Sequence, residues 1–258
     1  MLFKNFLAIS YYKLGDSHTS LGNLDKALTF YEDETKIFEE LYTANPMNLS
    51  FKFGLAASYE KLGFTHMTLG NLDKALTFYE EETKIFEELY TAYPTNVSFK
   101  NGLAISYEKL GNTYTALHNL DKALSFYEER SRLGKELYVA YSTNVDFIEG
   151  LGWSNQFLGN THTLLGNLDK ALVFYVEMNK IFKELNANFP TNVSFKNGLA
   201  VSFHKLGEFY SNNNKDKTSA LRYFKECEQL LEELVDKFPS YIEFRNNLEE
   251  VKRDIENL

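Results

Sequence analysis

LGNLDKAL, residues 21–28, returns as LGNLDKAL at 69–76, LHNLDKAL at 117–124 and LGNLDKAL at 165–172. Each copy begins 48 residues after the one before it. A diverged fifth copy, DKTSALRYF from Asp216, sets Ala220 49 residues after Ala171. A fixed period of this length marks stacked supersecondary units that bury their apolar faces on one another, rather than a globule around one pocket.

The residues around each copy define two helices. In the third unit Phe99, Leu103, Tyr107, Leu110, Tyr114 and Leu117 follow one another at steps of three and four, which is one face of an α-helix. Ser98 precedes that run as the expected N-cap, with Ser50, Asp146 and Ser194 in the same register. The first helix should hold about 19 residues, roughly 28 Å. His118-Asn119 then interrupts the pattern, and a second helix is expected from Leu120, with Asn23, Asn71, Asn119 and Asn167 as its N-caps. An aspartate two residues after each asparagine favours the helix N-terminus electrostatically. In the second unit the apolar face of this helix runs from Leu72 through Ala75, Tyr79, Phe86 and Leu89 to Tyr93. Pro94 follows, as Pro46, Pro190 and Pro239 do elsewhere, and ends the helix after about 21 residues. No segment alternates as a strand would. Gly15, Gly63, Gly111, Gly159 and Gly207 share one position in the first helix, and Ala27, Ala75, Ala123, Ala171 and Ala220 share one in the second. Glycine inside a helix costs roughly 0.5–1 kcal/mol relative to alanine, so five in register point to close approach at that position.

Composition bounds the function. Of 258 residues 44% are hydrophobic, with 22 Phe and 17 Tyr to fill a continuous core. The lone Cys227 precludes a disulfide framework and a cysteine zinc cluster. No run of apolar residues is long enough to span a membrane, and MLFKNFLAIS reads as the start of a helix rather than a signal peptide. A cytoplasmic location is the expectation. The net charge of −9, without a cluster of lysines and arginines, argues against nucleic acid as a partner. Acidic runs such as Glu80-Glu81-Glu82 describe either a solvated helix face or a surface that favours basic partners. No phosphate loop, nucleophile elbow or paired catalytic motif is present, so neither enzymatic activity nor a cofactor is expected. His18, His66 and His162 share a column with Tyr114 and Tyr210, which reads as packed aromatics and not as metal ligands. Asn48, Asn96 and Asn192 each begin an Asn-X-Ser sequence, whose serines are read as caps. Cys227 is expected to be a small buried hydrophobe.

Tyr59, Leu62-Gly63, His66, Ala75 and Tyr79 resemble the tetratricopeptide repeat, and all five units match its Leu-Gly and Ala positions. The period departs from the usual value of about 34 residues. Glu34, Glu82, Arg130, Met178 and Cys227 stand where the motif has a small residue. The chain is therefore most similar to the long-helix bacterial variety of the family. The resemblance implies an all-α, right-handed α-solenoid forming one domain over residues 1–258. Its five helical hairpins would cover approximately 1–46, 50–94, 98–142, 146–190 and 194–239, with a polar capping helix at 241–258. At the other end Phe3 already aligns with Phe51 without a cap before it, so further repeats or another domain are expected to precede this chain.

In that family the concave groove is lined mainly by first helices. Mapped here, the groove positions are Tyr12 and Asp16 beside Ile9, Glu60 and Phe64 beside Ala57, and Glu108 and Asn112 beside Ile105. The last two units place Trp153, Gln156 and Asn160 there, then His204 and Glu208 beside Val201. These positions diverge between units while the framework barely varies. A partner-specific surface would show that pattern, and so would drift at solvent-facing sites. Lys13, Lys61, Lys109 and Lys205 fall one residue after the leading position of the family's carboxylate clamp, so binding of a chaperone tail is not expected. The expected function is a non-catalytic interaction module that holds a peptide or partner helix in its groove. The alternative is a regulatory sensor domain of a larger signalling or defence protein whose effector lies outside this chain. Homo-oligomerisation through the N-terminal end stays open. One junction is irregular: Phe38, Phe86 and Phe182 share a column in which the third unit has Gly134 and the fifth Leu231. Trp153, at a matching height, either fills the resulting hole or points into the groove.

Overall fold

The computed structural model describes residues 2–213 and 215–258, and among them are eleven α-helices and no strand. The helices are α1 (Leu2–Ser20), α2 (Leu24–Ala44), α3 (Leu49–Thr68), α4 (Leu72–Ala92), α5 (Val97–Ala116), α6 (Leu120–Ala140), α7 (Val145–Leu164), α8 (Leu168–Asn188), α9 (Val193–Asn212), α10 (Lys217–Lys237) and α11 (Ile242–Glu256). The all-α class, the five hairpins and the final single helix are as expected. The chain divides into two compact units, Met1–Arg130 and Ser131–Leu258, with the boundary inside α6. In the first unit α1 to α5 pack each on the next; in the second α7 to α11 do the same. No helix among the described residues is long and apolar enough to cross a membrane.

The helix starts correct the expected caps. Asn48, Asn96, Asn144 and Asn192 precede α3, α5, α7 and α9 in extended conformation, and their side chains accept from backbone N–H groups of the first turn. Asn96 Oδ1 takes the N–H of Phe99 at 3.2 Å, for example. Ser50, Ser98, Asp146 and Ser194 lie one residue inside the helix, where a hydroxyl or carboxylate no longer faces the free N–H groups. Asn23, Asn71 and Asn167 do stand at the N-caps of α2, α4 and α8, but their side chains make no capping bond. Only Asn119 does so, accepting from Lys122 N at 3.3 Å.

The backbone N–H of each of those asparagines instead closes the preceding helix. Asn71 N bonds to His66 O at 2.8 Å and Gly70 N to Met67 O at 3.1 Å, which is the Schellman pairing. That pairing needs a left-handed residue, and Gly22, Gly70 and Gly166 supply it with φ of 73°, 76° and 75°. The third turn uses His118 at φ 57°, with the same two bonds.

The core explains the small residues. The five alanines of the second-helix column are completely buried. At Gly63 the Tyr79 ring lies where a side chain would start: a Cβ there would sit 2.6 Å from its Cε1. Tyr31, Tyr127, Tyr175 and Phe224 cover Gly15, Gly111, Gly159 and Gly207 in the same way. The close approach inferred from the glycine column is thus made by an aromatic ring of the same hairpin. A second column receives rings from the preceding hairpin, with Phe38 on Gly54, Phe86 on Gly102 and Phe182 on Gly198. His18, His66 and His162 stack nearly parallel on Phe30, Phe78 and Phe174 at 5.4–5.6 Å, as packed aromatics.

Where α6 carries Gly134, the place of the phenyl ring stays empty. Nothing lies within 4 Å of the position a Cβ would take at Gly150, and the nearest atom to that of Gly134 is Ser154 Oγ at 3.9 Å. Trp153 does not fill the gap. Its indole leaves α7 on the side of α8 and packs on Phe182 with centroids 4.8 Å apart. Gly152 makes room for that arrangement, because a Cβ there would meet Phe182 Cε2 at 2.7 Å. Ala56, Ala104 and Ala200 hold this position in other hairpins.

Two stability outcomes follow from these local geometries. His118→Gly relieves a left-handed residue at an exposed site, and we expect about 0.5–1 kcal/mol of stabilisation in urea unfolding. A neutral or destabilising result would show that the imidazole makes contacts of value. Gly134→Phe should add about 1–2 kcal/mol by seating a ring on Gly150. Its effect should add to that of Trp153→Ala within about 0.5 kcal/mol. A larger coupling would mean that the indole and the gap share space after all.

Candidate functional site

In the first unit the groove candidates are joined by charge. Lys61 Nζ reaches back from α3 to Asp16 Oδ1 of α1 at 2.8 Å and lies 4.9 Å over the Tyr12 ring. Lys109 Nζ repeats the move from α5, bonding Glu60 Oε1 at 2.8 Å and the buried Glu82 Oε1 at 2.7 Å. Arg130 Nε pairs with Glu108 Oε2 at 2.6 Å. These contacts bring Tyr12, Asp16, Glu60 and Glu108 into one row of ion pairs along neighbouring hairpins. Lys61, Lys109, Glu82 and Arg130 complete it and were not among the site candidates. For Glu82 and Lys109 the signal was present in the sequence, as a carboxylate at a core register with a lysine 27 residues later.

The next position along α1, α3 and α5 governs a tyrosine hydroxyl. Tyr31 Oη donates to Asp16 Oδ1 and Tyr127 Oη to Asn112 Oδ1, both at 2.7 Å. Thr19 and Thr115 supply a further hydroxyl to the same two tyrosines. In the second hairpin Phe64 and Met67 stand at those two registers, and the Tyr79 hydroxyl has no protein hydrogen bond among the described residues. Burial, helped by the charges of Glu82 and Glu60, holds this phenol well above its ordinary range, so it stays protonated. A pocket of about 430 Å³ opens there, lined by Glu60, Lys61, Phe64, Met67, Tyr79, Lys109 and Asn112. Phe64 and Met67 give it apolar walls, and Phe64 is half exposed. The lysines are already paired, which leaves the phenol as an unused hydrogen-bonding group.

In the second unit the candidates are mostly spoken for by the fold. Asn160 Oδ1 accepts from Tyr175 Oη at 2.9 Å, and Glu208 pairs with Lys205 at 2.7 Å. His204 Nε2 contacts Asp254 Oδ2 at 2.8 Å, joining α9 to α11 beside a cavity of about 180 Å³. Cys227 lines that cavity, and burial pushes its thiol up to about 12, which leaves it unreactive. Trp153 is partly buried against Phe182, with its indole N–H 3.4 Å from Glu149 Oε1, and Gln156 is half-buried. Among the described residues no group of three His, Cys, Asp or Glu side chains converges as metal ligands do.

Residues 54–136 match a family model described as tetratricopeptide repeat, and residues 8–40 match a second of the same description. A comparison with curated proteins finds no match. Among solved structures, a putative kinesin light chain of Podosopora anserina with nearly identical TPR-like repeats is 15% identical, with a TM-score of 0.65 over 92% of this chain and 99% of that one. The apo form of RapI is 15% identical, with a TM-score of 0.62 over 98% of this chain and 85% of its own. A signal transduction ATPase with numerous domains and a tetratricopeptide repeat sensor, from Pyrococcus horikoshii, is 17% identical with a TM-score of 0.66. This chain is covered over 98% in that comparison but spans only 35% of the ATPase. These likenesses establish a shared fold.

The buried carboxylates carry a pH dependence of known sign. Glu34 Oε2 and Glu82 Oε2 have no hydrogen-bond partner. Burial, then the charge of Asp16, pushes the Glu34 carboxyl up to about 8 against the pull of Lys61. Burial raises that of Glu82 to about 7, although Lys109 opposes it. Between the ordinary value of 4.5 and these raised values the folded chain holds a proton that the unfolded chain has released. The contribution is complete below that range and drains away as pH rises, to about 7 for Glu82 and about 8 for Glu34. Urea unfolding should therefore show a less stable protein at pH 8 than at pH 5. Glu34→Gln should flatten that slope and exceed the parent at pH 8 only. Parallel curves for variant and parent would place Glu34 in water.

Proposed function

The chain carries tetratricopeptide repeats, and we propose on that premise that it is a non-catalytic protein-interaction module whose second hairpin anchors its partner. The observation that carries the reading is local. Three hairpins satisfy the tyrosine hydroxyl with a polar neighbour, whereas the second replaces both neighbours with Phe64 and Met67 and leaves Tyr79 free over a pocket. A peptide or partner helix suits this site when it offers one apolar side chain to Phe64 and Met67 and a hydrogen-bond acceptor, such as a main-chain carbonyl, to Tyr79. The net charge of −9 favours basic residues on either side of that anchor. The lysines beside the pocket are already held in ion pairs, which suits a surface that binds. The sensor reading draws on a different observation: the likeness to the Pyrococcus horikoshii ATPase, whose repeats are described as a sensor.

Peptides selected on this chain from a random display library would test the site by calorimetry. Phe64→Ala should weaken them at least about tenfold, as loss of an aromatic anchor does. Tyr79→Phe should cost about 0.5–1.5 kcal/mol. The fold tolerates phenylalanine at this register, since Phe224 holds it in the fifth hairpin. Trp153→Ala should leave these affinities unchanged. Peptides that bind both pocket variants like the parent would exclude the second hairpin as the anchor.

A further inference from the structure

At one place in the second unit the repeat reverses its charge. Where the first two hairpins meet, Tyr59 Oη of α3 donates to Glu39 Oε1 of α2 at 3.1 Å, and Thr77 and Glu81 of α4 hold the neighbouring registers. The next junction repeats the set: Tyr107 Oη donates to Glu87 Oε1 at 3.0 Å, with Ser125 and Glu129 on α6. Between the fourth and fifth hairpins the same registers hold Lys183 on α8, Phe203 on α9, and Arg222 and Glu226 on α10. Two carboxylates and no cation have become two cations and one carboxylate, on a chain whose net charge is −9.

The three changes agree with one another. Phe203 lacks the hydroxyl that would donate to a carboxylate at position 183, and Lys183 stands there instead with its Nζ 5.0 Å over the Phe203 ring. The Arg222 guanidinium lies 4.7 Å over the Tyr223 ring, whose centroid is 6.2 Å from that of Phe203. Together with Glu226 these residues line a cavity of about 400 Å³. Among the described residues neither Lys183 nor Arg222 has an ion pair or a hydrogen bond through its side chain. Lys61, Lys109 and Lys205, by contrast, are each held by a carboxylate. The aromatic rings position both cations without neutralising them.

We infer that this cavity binds an acidic residue of a peptide segment, with carboxylate or phosphoryl oxygens set between Lys183 and Arg222. The guanidinium offers a planar fork of N–H donors to two oxygens, and the ammonium adds a compact charge. Phe203 and Tyr223 form an apolar floor for the carbon stem of the acidic side chain. Glu226 is an acid that every hairpin keeps at this register, as Asp33, Glu81, Glu129 and Glu177. Here it accepts a main-chain N–H beside the acidic residue, which favours a peptide over a free anion. The junction of the third and fourth hairpins has Lys135 but Val173 in place of the arginine, so it lacks the fork. This site and the pocket at Tyr79 share no residue, and either can fail without the other.

The Arg222 Nε–H resonance, assigned by its loss in Arg222→Thr, reads the site directly. At constant ionic strength, acetyl-Gly-Glu-Gly-amide and its phosphoserine counterpart should shift it saturably, whereas acetyl-Gly-Gln-Gly-amide should not. The tighter of the two acidic peptides names the source of the anion. Lys183→Glu with Phe203→Tyr and Arg222→Thr restores the residues of the second hairpin, so the variant should melt like the parent. Read at the backbone amides of α10, it should bind the acidic peptides at least about tenfold more weakly, as loss of charge-assisted hydrogen bonds requires. Lys36→Glu with Lys84→Thr makes the same change in net charge at two exposed lysines and should bind like the parent. The inference is overturned if neither acidic peptide gives a saturable shift, or if the glutamine peptide shifts the resonance equally. A restored set that binds like the parent, or a control that weakens as much as it does, has the same force. Inorganic phosphate binding as tightly as the phosphoserine peptide would also overturn it, since Glu226 would then select nothing.

Discussion

An aromatic ring seated on a helical glycine is the contact on which the rest of this fold depends. Each hairpin is closed by one such contact, as with Tyr79 on Gly63, and most are joined to the next by another, as with Phe86 on Gly102. The glycine weakens its helix by roughly 0.5–1 kcal/mol, and burying the ring returns about 1.5–3 kcal/mol. The balance is favourable only when ring and glycine meet. The two columns therefore fix the register of one helix against the other and the spacing of one hairpin from the next. At Gly134 the ring is missing, and Phe147 and Leu151 are only partly buried, although Phe51 and Leu55 at matching positions are buried.

The same tyrosine that closes the hairpin also divides its surface between framework and candidate site. Its ring faces the glycine, while its hydroxyl emerges beside the residue one turn along the first helix, at Asp16, Phe64, Asn112 and Asn160. In the first, third and fourth hairpins an Asp or Asn at that point is committed to the hydroxyl and is a framework residue. Phe64 breaks the pattern and converts the same location into a pocket. Variation among repeats thus has two meanings here. At Asp16, Asn112 and Asn160 it changes the partner of an internal hydrogen bond, and at Phe64 it removes that partner.

The ion pairs follow a comparable logic. Lys61 and Lys109 each reach back to the hairpin before, and what they meet depends on that hairpin's own residues. Where the earlier α1 offers Asp16, Lys61 is drawn to it and Glu34 is left buried without a bonded cation. Where α3 offers Glu60 and α4 offers Glu82, Lys109 bonds both. Two carboxyls at one register thus differ in environment because of a substitution on another helix.

Much of the fold was legible in the sequence. The spacing of Phe99, Leu103, Tyr107 and Leu110 defined a helix, Pro94 ended one, and the return of LGNLDKAL set the number of hairpins. Period, helix propensity and helix breaking are properties of neighbours along the chain, so they can be read from it. The sequence also marked Asp16, Phe64, Asn112 and Asn160 as positions that vary, without separating the hydrogen-bonded ones from the free one. Only the tertiary structure decided that the caps fall on Asn48 and its equivalents, that Trp153 turns toward Phe182, and that Tyr79 lacks the partners its counterparts have. Those outcomes rest on which side of a helix a side chain leaves and on what a helix tens of residues away places opposite it. A one-dimensional pattern holds both residues of such a pair, but the distance between them exists only once the chain has folded.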